Sequence, residues 1–339
     1  MQPSDKNAVN QPIAVLGAGS WGTGLALYLA RRKQPVILWT HNAANAARMA
    51  SEGSNSRYLP THSFPESLSI TDNLATLSAY TDILIAVPSA AFRETITALK
   101  PFLKPSARIV WATKGLDAAT GQLLHQVAEE VLGKNHDYAI LSGPSFAREV
   151  AAGLPTAVVI ASKNKKYATD LINRFNSSIF RVYLSTDMIG VEICGVVKNV
   201  LAIATGIADG MQLGANARAA IITRGLAEMV RLGIAMGGLN ETFMGLAGIG
   251  DLILTCTDNQ SRNRRFGLAI GSGKSASVAT KEIGQVVEGQ QNTELVVKLA
   301  KHLNIEMPIS ETVLNILQEK ISLNEALQSL LSRATRTEN

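Results

Sequence analysis

The 339-residue sequence predicts a doubly wound α/β sheet in its first half and an all-helical second half. Three observations support this fold class. Short β-branched runs alternate with amphipathic segments up to about residue 190, a glycine-rich turn joins the first run to the first helix, and only helical periodicity follows. We therefore predict one domain over residues 1–190 and a second over 191–335.

Apolar runs in the first half have the features of buried strands. They are apolar throughout, as is typical of parallel strands that helices cover on both faces. Helical segments such as 90–103 and 120–133 lie between them, and this alternation predicts right-handed crossovers. The predicted strands are "PIAVLG" (12–17), "PVILW" (35–39), "DILIAV" (82–87), "ARIVWAT" (107–113), "YAILS" (138–142) and "TAVVIA" (156–161).

The first predicted strand runs directly into "GAGSWG", which has the G-x-G-x-x-G spacing. Gly17 permits a tight turn, Gly19 lets the backbone approach a pyrophosphate, and Gly22 lets helix and strand pack closely. Because the turn opens a predicted helix, free N–H groups of that helix can face phosphates. We interpret it as the dinucleotide-binding turn of a Rossmann-type domain; the alternative is a merely structural turn.

The end of the second predicted strand bears on which dinucleotide binds. An NAD-specific site usually has an acidic residue there, about 20 residues after the turn. This chain has Thr40, His41 and Asn42 instead of a carboxylate. A 2′-phosphate would meet no repulsion there, although no arginine stands in place to hold it. The strand end therefore favours NADP and leaves NAD open.

The second half carries helical periodicity in 194–210, 217–237, 293–304 and 324–333. The first of these segments, "CGVVKNVLAIATGIADG", has a lysine at the centre of an alanine- and glycine-rich stretch. Helical spacing aligns Lys198 with Ala202 and Thr205, whose small side chains leave space for another molecule. The same line reaches Asp209 one turn further on.

A buried ammonium group is costly unless it is paired, so Lys198 needs a reason to be there. Apart from His302, on an ordinary amphipathic helix, no histidine lies in the polar stretches of the helical half. A lysine is then the available acid–base group for a dehydrogenase. The alternative is a side chain that extends along the helix to solvent. The polar end of the chain, residues 334–339, is expected to fray.

Further polar side chains follow strands or precede helices. Lys114 in "WATKGL" ends a strand at the edge where open α/β sheets bind ligands. Gly143 and Ser145 in "LSGPSFAREV" suit an anion or a hydroxyl group. Asp251 and the basic stretch 261–267, "SRNRRFG", lie in the helical half. Structural roles are the alternatives: a helix cap for Asp251 and a solvated basic turn for 261–267.

Composition and charge disfavour several classes of protein. The chain is 46% hydrophobic with a formal net charge of +5, which favours anionic small molecules, and no aromatic-interleaved basic patch indicates nucleic-acid binding. The five histidines show no metal-ligand spacing. Cys194 and Cys256 lie in apolar runs and indicate a reducing compartment. Lys198 and Asp209 interrupt the longest apolar run and the N-terminus has no apolar core, so we expect a cytoplasmic protein without membrane insertion or signal peptide.

Taken together, these stretches resemble bacterial NAD(P)-dependent glycerol-3-phosphate dehydrogenases over nearly the whole chain. The resemblance implies a Rossmann domain and a helical domain, assembled as a homodimer. It implies reduction of dihydroxyacetone phosphate to sn-glycerol 3-phosphate with NADH or NADPH, for glycerophospholipid synthesis. Gly24 and Gln290 depart from the residues usual in the family, alanine and a small apolar residue. The matching stretches are 17–23, 113–116, 142–157, 194–229, 242–257, 261–267 and 286–289.

The resemblance also implies roles for individual residues. Lys198 would donate or accept the proton. Because a buried ammonium without substrate is a strain that methionine relieves, we expect the replacement of Lys198 by methionine to leave stability unchanged or raised. The residues implied to hold substrate are Lys114, Gly143, Ser145, Lys198, Asp251, Ser261, Arg262 and Asn263. Those implied to contact the cofactor, beside Gly17, Gly19 and Gly22, are Ser20, Trp21, His41, Lys114, Ala147, Arg262, Val286 and Glu288.

Two other functions fit the same pattern of domains. A β-hydroxyacid dehydrogenase also pairs a Rossmann domain with a helical domain and a catalytic lysine, but acts on carboxylates. A non-enzymatic dinucleotide sensor would bind NADPH without turnover, and it would have no need for Lys198, Asp251 and Arg262.

Overall fold

The computed structural model describes residues 11–332, so the predictions for the N-terminus and for residues 334–339 fall outside the described part of the chain. The chain divides into two compact units, Met1–Glu192 and Ile193–Asn339. The first unit contains both strands and helices, and the described part of the second contains helices.

The first unit contains an eight-stranded sheet in the order β3-β2-β1-β4-β5-β6-β7-β8. The strand order reverses between β1 and β4, and ligands of doubly wound sheets bind at such a reversal. This sheet confirms the predicted fold class. Its strands are β1 (Ile13–Leu16), β2 (Val36–Trp39), β3 (Leu68–Thr71), β4 (Asp82–Ile85), β5 (Arg108–Trp111), β6 (Asp137–Ser142), β7 (Thr156–Ala161) and β8 (Phe180–Ser185).

Helices follow most of these strands. Their apolar faces cover the sheet, and three-residue-per-turn segments at Leu74–Ala79 and Lys100–Phe102 complete the connections. The helices of the first unit are α1 (Ser20–Arg31), α2 (Ala43–Glu52), α3 (Ser89–Leu99), α4 (Leu124–Leu132), α5 (Ala147–Ala152) and α6 (Lys165–Phe175).

Two features of the sheet differ from the sequence prediction. The strands β3 and β8 were not predicted; both are edge strands with partly exposed, polar residues, so they lack an apolar run. The expectation of parallel pairing was wrong for β7, which is antiparallel to β6. The intervening helix α5 has six residues and spans about 9 Å, less than half the ~20 Å length of a six-residue strand. It is too short to return the chain to the opposite edge of the sheet.

The second unit consists of helices joined by short connections, with no strand among its described residues, 193–332. Its first helix, α7, begins in the first unit at Met188 and ends at Gly210. A one-turn π-helical segment at Leu246–Gly250 interrupts the series. The other helices are α8 (Gly214–Ala235), α9 (Asn240–Phe243), α10 (Asp251–Thr257), α11 (Arg262–Gly271), α12 (Ala276–Ile283), α13 (Glu288–His302), α14 (Pro308–Leu317) and α15 (Leu323–Leu331).

Helix α7 corrects one sequence expectation. Lys198 and Asp209 do not prevent this 23-residue helix from being long and apolar enough to cross a membrane by length and composition. However, 94% of its most apolar window is buried inside the fold. Such burial is typical of a core helix, which other helices cover.

Glycines bring the backbones of α7 and α11 into direct contact. A Cβ atom at Gly267 would lie 2.1 Å from the carbonyl oxygen of Ile203, and one at Gly271 would lie 2.1 Å from that of Ile207. On the facing helix, a Cβ at Gly206 would lie 2.1 Å from the carbonyl oxygen of Arg264. Because only glycine permits this approach, the start of α11 lies beside the middle of α7, which carries Lys198.

Candidate active site

The glycine-rich turn between β1 and α1 has the geometry that phosphate binding requires. Gly17 has a φ of +111°, and a Cβ there would lie 2.7 Å from the carbonyl oxygen of Ala86. A Cβ at Gly22 would lie 1.9 Å from the carbonyl oxygen of Gly17, whereas one at Gly19 would meet nothing within 4 Å. The first turn of α1 has neither a side-chain cap nor an acidic residue, so its N–H groups are available to an anion.

Three residues predicted to contact the cofactor lie near this turn or at the end of β2. Ser20 and Trp21 begin α1 and are half-buried. The indole Nε1 of Trp21 is buried and donates to no other atom of the described chain, which leaves a donor for a bound molecule. His41 follows β2 on the surface, with its ring 6.5 Å from that of Trp39.

The sequence reasoning missed a carboxylate near this strand end. Asp72 directly follows β3, the neighbour of β2, and its carbonyl oxygen accepts a hydrogen bond from the indole of Trp39 at 3.0 Å. The sequence prediction could not place Asp72 at a strand end, because β3 was not predicted. The predicted preference for NADP therefore stays a prediction.

Lys114, Gly143 and Ser145 lie together at the carboxyl ends of β5 and β6. The ammonium of Lys114 donates to the carbonyl oxygen of Gly143 at 3.3 Å, and the hydroxyl of Ser145 donates to the same oxygen at 2.9 Å. Gly143 has a φ of +129°, and a Cβ there would lie 3.1 Å from the Cα of Val158. The fold thus groups a cation, a hydroxyl and a glycine turn at the ligand-binding edge of the sheet.

Ala147 begins α5, which packs against α1. A Cβ at Gly24 would lie 3.0 Å from the carbonyl oxygen of Ala147, so a side chain at position 24 would push the two helices apart by a few tenths of an ångström. The glycine at this position, where alanine is usual in the resembling family, therefore permits a closer helix contact.

Lys198 is buried in the second unit, with 6% of its surface exposed, so it does not extend to solvent. Its ammonium donates to a carboxylate oxygen of Asp251 at 2.8 Å and to the hydroxyl of Thr255 at 2.9 Å. Both partners belong to α10. The predicted direction towards Asp209 is wrong, because that carboxylate binds Arg218 and Arg264 instead.

Asp251 is the first residue of α10 and is 2% exposed. The interpretation as a helix cap is wrong, because Gly250 is the N-cap residue and no side chain caps this helix. Asp251 instead accepts from Lys198 and, at 3.2 Å, from Thr255. Thr255 is a polar residue of the same stretch that the sequence prediction did not place among the substrate or cofactor residues. It lies one helical turn after Asp251 and therefore on the same face.

Cys256 lies next to this cluster and is fully buried. Burial raises the pKa of its thiol to about 12, although the hydrogen bond with Thr205 and the positive charge of Lys198 act in the opposite direction. The thiol is therefore protonated at neutral pH and is no nucleophile. Among residues 11–332, no group of three or more histidine, cysteine, aspartate or glutamate side chains could hold a metal ion.

The stretch 261–267 forms the start of α11 and is only partly a solvated basic turn. Ser261 is buried and caps the helix by accepting from the N–H of Arg264 at 3.2 Å. Arg264 is itself buried and donates to the carbonyl oxygen of Cys256 at 3.1 Å and to Asp209. Arg262 is half-buried and donates to the side chain of Gln285 at 3.2 Å. Only Arg265 in this stretch is an exposed arginine.

Asn263 joins three elements of the second unit. Its amide nitrogen donates to the side-chain oxygen of Asn199 at 2.9 Å, and its amide oxygen accepts from the N–H of Gly289 at 2.9 Å. Asn199, adjacent to Lys198, is a buried polar residue that sequence reasoning missed. The pair of adjacent polar residues "KN" at the centre of an apolar helix is a signal that could have indicated Asn199.

The predicted cofactor residues Val286 and Glu288 lie at the start of α13. Val286 is exposed, and Glu288 is the first residue of the helix and half-buried. Gln290, the second departure from the resembling family, is exposed and accepts from the hydroxyl of Thr280 at 3.2 Å. Its polar side chain therefore has a partner on the surface and disturbs no buried contact.

A glycine turn at the switch point of a doubly wound sheet, together with a buried lysine in a helical unit, defines an oxidoreductase that uses a nicotinamide dinucleotide. Comparisons with known proteins narrow this class. The family models of the NAD-dependent glycerol-3-phosphate dehydrogenase N-terminus and C-terminus match residues 12–168 and 187–328. The chain belongs to the NAD-dependent glycerol-3-phosphate dehydrogenase family. The predictions of this family, of an enzyme and of NAD or NADP as cofactor are confirmed.

Relatives in two bacteria match nearly the full chain. Glycerol-3-phosphate dehydrogenase [NAD(P)+] of Coxiella burnetii (strain RSA 331 / Henzerling II) is 55% identical over 328 residues, which cover 96% of this chain and 98% of the relative. That of Haemophilus ducreyi is 54% identical over 330 residues, covering 97% and 98%. A crystal structure of the C. burnetii enzyme superposes with a TM-score of 0.93 at 55% identity, over 96% of this chain and all of the other.

Proposed function

We propose that the protein reduces dihydroxyacetone phosphate to sn-glycerol 3-phosphate with NADH or NADPH, and that Lys198 supplies the proton. The buried ammonium of Lys198, held at 2.8 Å by Asp251 and at 2.9 Å by Thr255, is the observation that carries this proposal. Such a group is an acid with a fixed position. The family assignment favours this substrate over the hydroxy acid of a β-hydroxyacid dehydrogenase.

The first unit supplies the cofactor site in this proposal. The turn fits a dinucleotide because Gly17 and Gly22 exclude side chains and the first N–H groups of α1 carry no cap. When it is bound, the dinucleotide supplies the hydride that reduces the carbonyl carbon of the substrate. Residues 1–190 are accordingly proposed as the NAD(P)-binding domain and 191–335 as the substrate and catalytic domain.

Lys198 acts on the oxygen of the carbonyl that is reduced. Negative charge develops on this oxygen as the carbon gains a hydride, and a nearby ammonium stabilises the charge and then donates its proton. In the reverse direction the neutral amine accepts that proton. Asp251 and Thr255 orient the ammonium, since two fixed acceptors restrict a flexible four-carbon side chain.

The other predicted site residues receive the following proposed roles. The substrate phosphate is bound by Arg262, whose planar guanidinium can donate two parallel hydrogen bonds. Substrate contacts also come from Lys114, Gly143, Ser145, Asp251, Ser261 and Asn263. Cofactor contacts come from Gly17, Gly19, Ser20, Trp21, Gly22, His41, Lys114, Ala147, Arg262, Val286 and Glu288.

We also propose a cytoplasmic homodimer that supplies glycerophospholipid synthesis. Four apolar side chains on packed elements of the second unit support an interface between copies, since each is about half exposed. They are Ile234, Leu239, Met244 and Ile253. Light scattering tests the homodimer, and the mass of a single chain would contradict it.

The proposed reaction is tested by following the loss of NADPH absorbance with dihydroxyacetone phosphate. Turnover with this substrate and none with a 3-oxo carboxylate of similar size is expected. Turnover with the carboxylate alone would favour a β-hydroxyacid dehydrogenase. Binding of NADPH without turnover of either substrate would indicate a dinucleotide sensor.

NADPH is expected to be used at least as well as NADH. Thr40, His41 and Asn42 follow β2 without a carboxylate that would repel a 2′-phosphate, and His41 and Asn42 are exposed. Steady-state kcat/KM for each reduced cofactor, at saturating dihydroxyacetone phosphate, is the measurement. A strong preference for NADH would contradict this interpretation and point to Asp72 as the acidic residue.

Replacement of Arg262 by alanine is expected to raise the KM for dihydroxyacetone phosphate strongly. Removal of a charge-assisted contact to a desolvated anion costs about 2–5 kcal/mol. Arg262→Lys should recover only part of the binding, because an ammonium lacks the planar fork.

Arg265→Ala is the matched control, since this exposed arginine lies three residues along the same helix. It should leave KM and kcat unchanged. Equal kinetic constants for Arg262→Ala and the unaltered enzyme would show that Arg262 does not bind the phosphate.

A further inference from the structure

A buried asparagine outside the predicted site touches the glycine-rich turn. Asn55 lies in the loop that follows α2 and is 1% exposed. Its amide nitrogen donates to the carbonyl oxygen of Ala18 at 2.9 Å and to the hydroxyl of Thr23 at 2.9 Å. Ala18 is the second residue of the turn, and Thr23 lies in the first turn of α1.

Both hydrogens of the Asn55 amide are therefore used, while its amide oxygen accepts no bond from the described residues. The carbonyl of Ala18 can only accept, so the assignment of nitrogen and oxygen in this side chain is fixed by its partner. The side chain of Asn55 therefore acts here as a hydrogen-bond donor. An aspartate of the same shape could not donate these bonds.

The bond to Ala18 determines where an N–H of the turn points. The carbonyl of Ala18 and the N–H of Gly19 belong to one peptide unit, and in a trans peptide these two groups point in opposite directions. Because Asn55 holds the carbonyl, the N–H of Gly19 points away from Asn55. A Cβ at Gly19 would meet nothing within 4 Å, so the turn is open to an incoming group at this residue.

The bond to Thr23 joins the turn to the helix. The N–H of Thr23 donates to the carbonyl oxygen of Gly19 at 3.0 Å, which closes the first turn of α1. Asn55 thus contacts the peptide before Gly19 and a residue of the turn after it. A single side chain fixes the turn and the helix start relative to each other.

We propose that Asn55 is a positioning residue for the pyrophosphate of the dinucleotide, acting through the peptide unit of Ala18 and Gly19. This inference rests on the proposed cofactor site. It adds to the cofactor site a residue from the loop after α2, which lies outside the glycine-rich turn. Asn55 itself acts through Ala18 and needs no contact with the cofactor.

The test compares Asn55→Ala and Asn55→Asp with the unaltered enzyme by fluorescence titration of NADPH. The Kd for NADPH is expected to rise about tenfold to a hundredfold in both variants. This is the range for loss of one hydrogen bond to a charged group, here the bond from the N–H of Gly19 to the pyrophosphate. Inhibition by adenosine 2′-monophosphate, which lacks the pyrophosphate, should change by less than twofold. The kcat at saturating NADPH should be retained, so that the effect appears in KM.

Ser67→Ala is the matched control for a general loss of stability. The hydroxyl of Ser67 donates to the carbonyl oxygen of Ala30 at 2.6 Å, at the other end of α1. This variant also removes a side-chain bond to a backbone carbonyl of the same region. Its melting temperature should fall, while its Kd for NADPH should not change.

Each outcome decides a separate question. Absence of NADPH and NADH binding by the unaltered enzyme would overturn the proposed cofactor site. Normal binding by the unaltered enzyme, with a Kd within twofold in both Asn55 variants, would overturn only the positioning role. Equal losses of affinity for NADPH and adenosine 2′-monophosphate, or failure of both variants to fold, would show a structural residue and also overturn it.

Discussion

Replacement of Lys198 by methionine is expected to lower kcat by about a hundredfold to ten-thousandfold, the range for loss of a general acid. Methionine keeps much of the length of the side chain and removes its charge and its proton. NADPH should still bind, since the glycine turn belongs to the first unit and Lys198 to the second. Steady-state rates and a fluorescence titration of NADPH provide the two measurements.

The same variant is expected to lose stability, in contrast to the sequence expectation of unchanged or raised stability. Lys198 and Asp251 form a buried ion pair, with 8% and 2% of their side chains exposed. Removal of one partner leaves a buried carboxylate unpaired, which costs roughly 3–5 kcal/mol. The sequence did not reveal this partner, which lies more than fifty positions away.

The double variant Lys198→Met/Asp251→Asn separates the two effects. Removal of both charges should recover part of the lost stability, because no unpaired carboxylate remains. Activity should not return. Lys274→Met is the control, since Lys274 pairs with Glu282 on the surface, and it should change neither property measurably. A kcat within a few-fold of normal in Lys198→Met would assign the proton to another group, with Lys114 the next candidate.

Replacement of Gly267 by alanine is expected to lower both stability and substrate binding. Alanine gains about 1 kcal/mol of helix propensity over glycine, but its Cβ would lie 2.1 Å from the backbone carbonyl of Ile203. Backbone cannot move as a side-chain end can, so α7 and α11 must separate. Overpacking of this kind costs typically 1–3 kcal/mol and sometimes more, and here it exceeds the gain in propensity.

Separation of α7 and α11 should also displace the proposed substrate-binding residues at the start of α11. Asn263 on α11 and Asn199 on α7 share a 2.9 Å hydrogen bond, and Arg262 is the residue before Asn263. We therefore expect the KM for dihydroxyacetone phosphate to rise together with the fall in melting temperature. Gly245→Ala is the control, because its Cβ would lie 3.4 Å from its nearest neighbour, an ordinary contact. Unchanged melting and KM in Gly267→Ala would contradict the close helix contact.

The sequence predicted the interior strands because each is an apolar run covered on both faces. It did not predict β3 and β8, whose edge positions require less apolar surface. It predicted parallel pairing for β7, and the short helix α5 reverses that strand instead. Hydrophobic pattern therefore identified the buried centre of the sheet and missed its boundaries.

The predicted site residues came from local patterns and from the resemblance of contiguous stretches to a known family. The spacing of Gly17, Gly19 and Gly22 is such a pattern, and the turn it forms has the required open geometry. Asn55 lies more than thirty positions from the turn that it contacts. No periodicity or spacing relates such residues, because tertiary packing alone brings them together.

By itself, the sequence determined the α/β and helical halves and the family, and it predicted the glycine-rich turn and Lys198 as parts of the site. These depend on local propensity, on the period of apolar residues and on motifs that are contiguous in the chain. The tertiary structure decided that Lys198 pairs with Asp251, that Arg264 is structural and that Asn55 holds the glycine turn. The physical reason is that partners of buried polar groups are selected by distance in space, and the separation between them along the chain carries no information about that distance.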